Sequence, residues 1–260
     1  MIKNSIDRFG GSYADSDFHK WTYGANTDWY DELLRTAVMT NHSIGISGGS
    51  DKSTYSLGMS YLAQDGIMDV KNNYKRLNFR AAIDYDATKW LKVGFNGVFS
   101  QSSQILPNNT AWQQAFNTPG LIPVYDNNNE NAKPEKYASP KSIGLSDNFK
   151  NPVATANYYD SKNDLRQYMT NFYAQLNIVP EKLTFKTSIN YNYQNIDGRT
   201  FVPTYYVESN QQSNATSLTK TNTQYNNYIW DNTLTYKDSF GKHNFGAMLG
   251  TSMRQETYKN

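Results

Sequence analysis

The connections between the predicted strands alternate in length, and this alternation constrains the fold more than any other feature. Alternating apolar and polar residues predict eight strands: Thr40–Gly49, Ser53–Leu62, Tyr74–Asp86, Trp90–Ser102, Tyr168–Val179, Leu183–Asn195, Thr223–Lys237 and His243–Tyr258. Short turns at Ser50–Lys52, Ala87–Lys89, Pro180–Lys182 and Asp238–Lys242 alternate with the longer loops Asp65–Asn73, Ser103–Gln167 and Ile196–Asn222. In an up-and-down meander every second connection lies at the same end, so all long loops gather at one end of the sheet.

The predicted strands carry one apolar and one polar face. In the third and fourth strands the apolar face consists of Leu77, Phe79, Ala81, Ile83, Tyr85, Leu91, Val93, Phe95 and Phe99. The opposite face consists of Asn78, Arg80, Asp84, Lys92, Asn96 and Ser100. Strands of roughly 10–13 residues exceed the usual 5–6 of soluble sheets and suit a tilted membrane strand of about 9–11 residues.

The composition limits the classes of protein that fit. The chain is 38% hydrophobic and 15% aromatic, with 21 Tyr and no Cys. A soluble domain carries about 45–50% apolar residues, whereas a barrel with one apolar face and a polar interior needs fewer. Interspersed charges with a net charge of +2 argue against a nucleic-acid partner. The absence of Cys excludes disulfides, thiol catalysis and Cys-ligated zinc within this sequence.

Two architectures remain open, a soluble antiparallel sheet with a buried face and an outer-membrane barrel. Strand length, aromatic strand ends and the sorted loops favour the barrel, which has short periplasmic turns and long extracellular loops. The predicted fold is therefore all-β: an antiparallel up-and-down meander of about eight strands from a larger outer-membrane β-barrel. Residues 1–39 are predicted to be an extracellular loop segment with a short helix capped by Asn26 or Thr27, and residues 40–260 a partial transmembrane barrel.

A family resemblance supports the same interpretation. The segments that carry it, in order, are Asn26–Ala37, Asn41–Gly49, Thr54–Leu57, Gln64–Ile67, Tyr74–Arg80 and Lys89–Gly94. In their order and spacing they resemble the SusC-like (SusC/RagA) branch of TonB-dependent outer-membrane transporters of the Bacteroidetes. The resemblance implies a barrel of 22 strands filled by an N-terminal plug. It also implies that this chain is a slice of such a barrel without the plug or the TonB-binding segment.

The resemblance further implies binding partners and a cellular location. Family members import oligosaccharides or peptides across the cell outer membrane, powered through TonB, with a SusD-like surface lipoprotein as a lid. The expected partners are therefore this lipoprotein, TonB through regions outside the chain, the transported substrate and outer-membrane lipid, with no nucleic acid.

The residues themselves offer no catalytic constellation, and the sequence predicts neither an enzyme nor a cofactor. The three His lack the spacing of a metal site, so no metal ligands are predicted. The candidate ligand- or partner-binding residues lie in the two longest loops and are Trp112, Tyr125, Tyr158, Tyr205 and Tyr206. Exposed aromatic side chains can stack on sugars or anchor a protein, but each could instead pack its loop onto itself.

Three functions are compatible with these observations. The leading hypothesis is a component of a TonB-dependent importer of oligosaccharides or peptides. The alternative is a self-contained eight-stranded outer-membrane barrel with a structural or adhesive role. A third is a soluble carbohydrate-binding β-module.

Overall fold

A computed structural model of the chain describes residues 25–143 and 149–260. The strands are β1 (Met39–Ser50), β2 (Ser53–Asp65), β3 (Asn73–Asp86), β4 (Leu91–Leu106), β5 (Asp160–Val179), β6 (Leu183–Val202), β7 (Tyr205–Glu208), β8 (Gln211–Ser213), β9 (Ser217–Phe240) and β10 (His243–Lys259). The helices are α1 (Trp29–Leu33), α2 (Thr110–Asn117) and α3 (Pro152–Asn157), with a 3₁₀ turn at Pro140–Ile143. Of the predicted segment 1–39, residues 1–24 lie outside the described residues.

The main sheet is an antiparallel meander, as predicted. Its eight strands follow the order β1-β2-β3-β4-β5-β6-β9-β10, and each pairs with its neighbour along the chain. The small hairpin β7–β8 is inserted between β6 and β9. This order confirms the all-β meander.

The outer strands leave two edges of the sheet open. Within the described residues, β1 pairs only with β2 and β10 only with β9. Closure of these eight strands on themselves, which the self-contained barrel requires, is therefore not the arrangement observed. Both edges present unpaired backbone N–H and C=O groups.

The convex, apolar face of the sheet is exposed. Phe95 lies opposite Phe172, whose next cross-strand neighbour is Ile189, and the two Phe ring centroids are 4.7 Å apart. Phe172 is nevertheless 56% exposed and Ile189 51% exposed. A soluble protein rarely leaves so broad an apolar patch in water, whereas this surface suits the lipid-facing band of a barrel.

The polar face is concave and hydrogen-bonded across strands. Asn171 donates to Asn190 (2.7 Å), Asn190 to Asp231 (3.2 Å) and Ser252 to the same carboxylate (2.6 Å). A hollow of about 860 Å³ lies over this face, with lining residues on strands from β1 to β9. The concave side is therefore a polar, amide-rich wall.

The strands are longer at the loop end than the sequence pattern predicts. β4 continues to Leu106, β5 begins at Asp160, β6 continues to Val202 and β9 begins at Ser217. The predicted loops Ser103–Gln167 and Ile196–Asn222 shrink to 107–159 and 203–216. On the extensions of β5 and β6, charged side chains interrupt the apolar face, and Arg199 pairs with Asp160 at 2.7 Å across the ladder. Alternation disappears there although backbone pairing continues.

The helices lie outside the main sheet, at its loop end. Within the described residues, no helix combines the length and apolar character needed to cross a bilayer. The cap of α1 corrects the prediction, because Asp28 rather than Asn26 or Thr27 precedes the helix. The Asp28 carboxylate accepts hydrogen bonds from the Tyr30 and Asp31 backbone N–H groups.

Candidate binding surface at the loop end

The hydrophobic core of the described residues lies in the loops. Its buried members are Trp29, Leu33, Met68, Ala111, Ala115, Ile122, Tyr137, Ala138, Val153, Ala154, Ala156, Tyr158 and Val207. They come from α1 and from the connections β2–β3, β4–β5 and β6–β9, which leave the sheet at the same end. We call this packed unit the loop cap, comprising residues 25–35, 66–72, 107–143, 149–159 and 203–216.

Asn151 holds the centre of the loop cap through nearly all of its polar atoms. Its side-chain amide donates to the Val124 and Ala138 carbonyls, and its side-chain oxygen caps α3 by accepting from Ala154 N–H. Its backbone N–H and C=O bind the carboxamide of Gln211, which lies on β8. Asn151 is fully buried, so these bonds join the β7–β8 hairpin to the β4–β5 loop.

Further hydrogen bonds join the β7–β8 hairpin to the β4–β5 loop. The Asn129 side chain donates to the carbonyls of Tyr137 (2.9 Å) and Val207 (3.1 Å). Lys133 and Tyr206 exchange two backbone hydrogen bonds, at 2.9 and 2.8 Å. The loops therefore pack together as one folded unit and are not independent flexible segments.

Four tyrosines stack in a row through the loop cap. Tyr125 stacks on Tyr137 (5.0 Å), Tyr137 meets Tyr158 edge-on (5.5 Å) and Tyr158 stacks on Tyr205 (4.4 Å). Burial raises the pKa of the Tyr137, Tyr158 and Tyr205 hydroxyls, so each stays protonated at neutral pH. The structure thus brings three predicted residues together through Tyr137, which was not among the predicted five.

The members of this row differ in accessibility. Tyr158 is 7% exposed, whereas Tyr125 is 55% exposed. Tyr205 and Tyr206 are half-buried, and Tyr206 is fixed through its backbone. Tyr158 can therefore support the row but cannot touch a ligand without opening the core, while Tyr125 offers a ring to solvent.

Trp112 lies apart from the tyrosine row, on α2. Ala111 and Ala115 of this helix are buried, while Trp112 is 42% exposed and Phe116, one turn later, 78% exposed. Phe116 is a further exposed aromatic, which was not among the five predicted binding residues. The i, i+4 spacing of Trp112 and Phe116 beside two buried alanines is the signal that could have identified it.

The helix α1 anchors the region around Trp112. Tyr30 meets the Trp112 ring edge-on at 5.2 Å, and the Trp29 indole donates to the Pro119 carbonyl at 3.2 Å. Thr27 donates through its backbone to Gly120 and through its hydroxyl to Ile122. The Trp112 ring is thereby held in position above the ends of β2, β3 and β4.

A hollow of about 730 Å³ lies beneath Trp112. Its walls are the β2–β3 loop, the last residues of β4 and the first turn of α2. In residues 25–143 and 149–260, no group of three or more acidic or His side chains is placed to hold a metal ion. The arrangement suits non-covalent recognition by aromatic rings and amides.

Comparison with curated proteins finds TonB-dependent receptors. The chain is 30% identical to TonB-dependent receptor P3 of Formosa agariphila, over 98% of this chain and 26% of that receptor. It is 31% identical to TonB-dependent receptor SusC of Bacteroides thetaiotaomicron, over 40% of this chain and 10% of SusC. No family model matches the chain. The chain spans about a quarter of the length of the first of these relatives.

Solved structures share the fold. The RagAB peptide transporter matches 90% of this chain and 26% of the solved chain, with a TM-score of 0.66 and 19% identity. The RagAB peptide importer in its open-open state matches 99% of this chain and 30% of the solved chain, with a TM-score of 0.69. Sequence and fold together confirm the resemblance: the chain corresponds to a barrel segment of the SusC-like family of TonB-dependent receptors.

Proposed function

We propose that this chain is part of an outer-membrane importer of oligosaccharides or peptides. The observation that carries the proposal is the sidedness of the molecule. The apolar convex face suits lipid, the amide-rich concave face suits a water-filled or protein-filled interior, and every long loop joins one packed cap at a single end.

The proposed partners follow from the same arrangement. The loop cap would lie outside the cell and meet a SusD-like lipoprotein and the incoming substrate, with Trp112, Tyr125, Tyr205 and Tyr206 as contact candidates. Tyr158 would support them from within the core. TonB would engage regions other than residues 1–260. A solved relative in fold is described as a peptide transporter, which keeps peptides beside oligosaccharides as substrates.

The proposed activity is transport and not catalysis. The similar proteins are named as receptors, and the open edges of the sheet favour membership in a larger barrel over a self-contained adhesive barrel.

Gene deletion in the source bacterium tests the proposal. A strain without the gene should lose growth on an oligosaccharide mixture or on a peptide digest as sole carbon source, and should grow normally on monosaccharides and free amino acids. Restoring the intact gene should restore growth, whereas a gene lacking residues 107–159 should not. Unchanged growth of the deletion strain on both the oligosaccharide mixture and the peptide digest would contradict the proposal.

A further inference from the structure

We infer that the hollow beneath Trp112 is a binding subsite for a neutral sugar ring. This inference rests on the proposed import function and assigns a substrate class to one particular site. The hollow holds about 730 Å³, within the 300–1,000 Å³ range typical of small-ligand pockets. A space of this size accommodates a short saccharide.

The hollow lies over the loop-end termini of β2, β3 and β4. Gln64, Tyr74 and Gln104 are direct cross-strand neighbours on β2, β3 and β4. By the two-residue period of a strand, they share the face of Asn78 and Ser100, which belongs to the polar wall. Asp65, Asn73 and Ile105 form the next cross-strand row, on the opposite face, and also line the hollow. The pocket therefore lies over the ends of the three strands, where a solute entering between the loops would first meet the sheet.

The chemistry of the lining matches a pyranose ring. Trp112 supplies a partly exposed aromatic ring held by Tyr30, and Ile67 and Leu106 add apolar surface. Side-chain amides of Gln64 and Gln104 supply both donors and acceptors. A sugar ring has an apolar C–H face for the aromatic ring and hydroxyls around its edge for the amides.

Asn72 adds an unsatisfied acceptor at the wall of the hollow. Its side chain is 4% exposed, and its amide nitrogen donates to the Met68 carbonyl at 3.1 Å. Its side-chain oxygen is buried and has no hydrogen-bond partner within the described part of the chain. The oxygen lies against Gly66, which also lines the hollow and has no side chain to cover it. A rotation of the Asn72 side chain towards the hollow would let a ligand hydroxyl supply the missing donor.

The charges of the lining select against anionic ligands. Asp65 is the one charged side chain among the described lining residues, and no Lys, Arg or His faces the hollow. A peptide carboxylate or an acidic sugar would lie near this carboxylate, and no cationic side chain belongs to the lining to neutralise it. An uncharged saccharide meets no such penalty.

Calorimetric titration of the native protein, purified in detergent, tests the inference. The probes are neutral hexasaccharides of glucose, mannose, galactose and xylose in α and β linkage, a hexauronic acid, and an apolar decapeptide with blocked ends. We expect at least one neutral hexasaccharide to bind. Trp112→Ala should weaken that binding about tenfold or more, as for a buried aromatic anchor, and Trp112→Phe should weaken it less.

Trp90→Ala is the matched control, because Trp90 is 54% exposed at the opposite end of the sheet. It should leave the affinity unchanged. Binding of the decapeptide or the hexauronic acid but of no neutral hexasaccharide would overturn the inference. So would the absence of any binding, or a Trp112→Ala affinity within twofold of the native value.

Uptake measurements separate the two proposals. Suppose that gene deletion abolishes uptake but Trp112→Ala changes neither binding nor uptake. The proposed import function is then supported, and the proposed sugar subsite beneath Trp112 is wrong. If gene deletion leaves the uptake of both polymer classes unchanged, the import function itself fails, whatever the pocket binds.

Discussion

At the scale of single residues, Gly94 allows two side chains to meet across an intervening strand. Asp84, Gly94 and Tyr173 are neighbours in register on β3, β4 and β5. The Tyr173 hydroxyl donates to the Asp84 carboxylate over the glycine, and the Lys186 ammonium lies 4.5 Å from the Tyr173 ring centre. A Cβ at position 94 would clash with the Tyr173 ring. Because Gly94 has no side chain, it leaves room for Tyr173 to reach Asp84 and for Lys186 to approach the Tyr173 ring.

Gly94→Ala should therefore destabilise the folded protein by about 1–3 kcal/mol, the usual cost of overpacking. The added methyl group would push Tyr173 away from Asp84. Gly45→Ala is the control, since the nearest atom to its new Cβ would be at an ordinary 3.6 Å. Urea unfolding of the native protein in vesicles measures both, and equal midpoints would contradict the role given to Gly94.

The adjacent residues Phe95 and Asn96 test the assignment of the two faces. Phe95 lies on the apolar face and Asn96 lines the polar hollow. Phe95→Arg should cost about 2–4 kcal/mol near the middle of a bilayer, whereas Asn96→Arg on the interior side should be mild. The measurement is again unfolding from vesicles, and equal tolerance of both substitutions would count against a lipid-facing convex surface.

At the scale of elements, the sequence predicts the strands well at one end and poorly at the other. At the turn end, β2, β6 and β10 begin at the predicted residue, because alternation continues into tight turns such as that at Gly241, which has a positive φ. At the loop end, charged side chains take the place of apolar ones on the outer face of β5 and β6. Pairs such as Lys162–Asp164 (2.8 Å) replace the apolar pattern, so the periodic signal stops before the strands do.

The loop cap could be predicted only in part. Aromatic residues in the loops were evident from the sequence, but their burial depends on distant partners. Tyr158 is buried because Tyr205, some 47 positions away in the sequence, stacks on it. Asn151 is ordered by Gln211 across 60 positions. No local pattern encodes such pairings, so the sequence left open which loop aromatics are buried, as Tyr137 and Tyr158 are, and which are exposed, as Tyr125 is.

The two ends of the meander should lie on opposite sides of the membrane. Residues 1–260 contain no Cys, so an introduced thiol is the one reactive group in this part of the protein. Asn127→Cys, exposed in the loop cap, should react with an impermeant maleimide on intact cells. Asp51→Cys, exposed in the β1–β2 turn, should react only after the outer membrane is permeabilised. The reverse labelling pattern would invert the proposed topology.

At the scale of the whole molecule, the loop cap and the main sheet place their apolar side chains in opposite ways. The loop cap buries apolar side chains in the manner of a soluble domain. The sheet does the opposite, with Met59, Phe172 and Trp230 exposed on its apolar face and polar side chains lining its concave face. Backbone pairing and contacts between side chains of neighbouring strands hold the sheet together, but it has no core of its own. The sheet therefore depends on lipid at one face and on further strands at its edges.

The isolated 260 residues should consequently fail to form a stable barrel in detergent. β1 and β10 carry unpaired backbone groups that lipid cannot satisfy. Closure of eight strands would leave a lumen that side chains must fill, but small residues such as Ser43, Gly45 and Gly58 line much of the concave wall. We expect the refolded chain to aggregate or to remain protease-sensitive. A compact, protease-resistant monomer with heat-dependent gel mobility would show that the sheet closes on itself, and would favour the self-contained barrel.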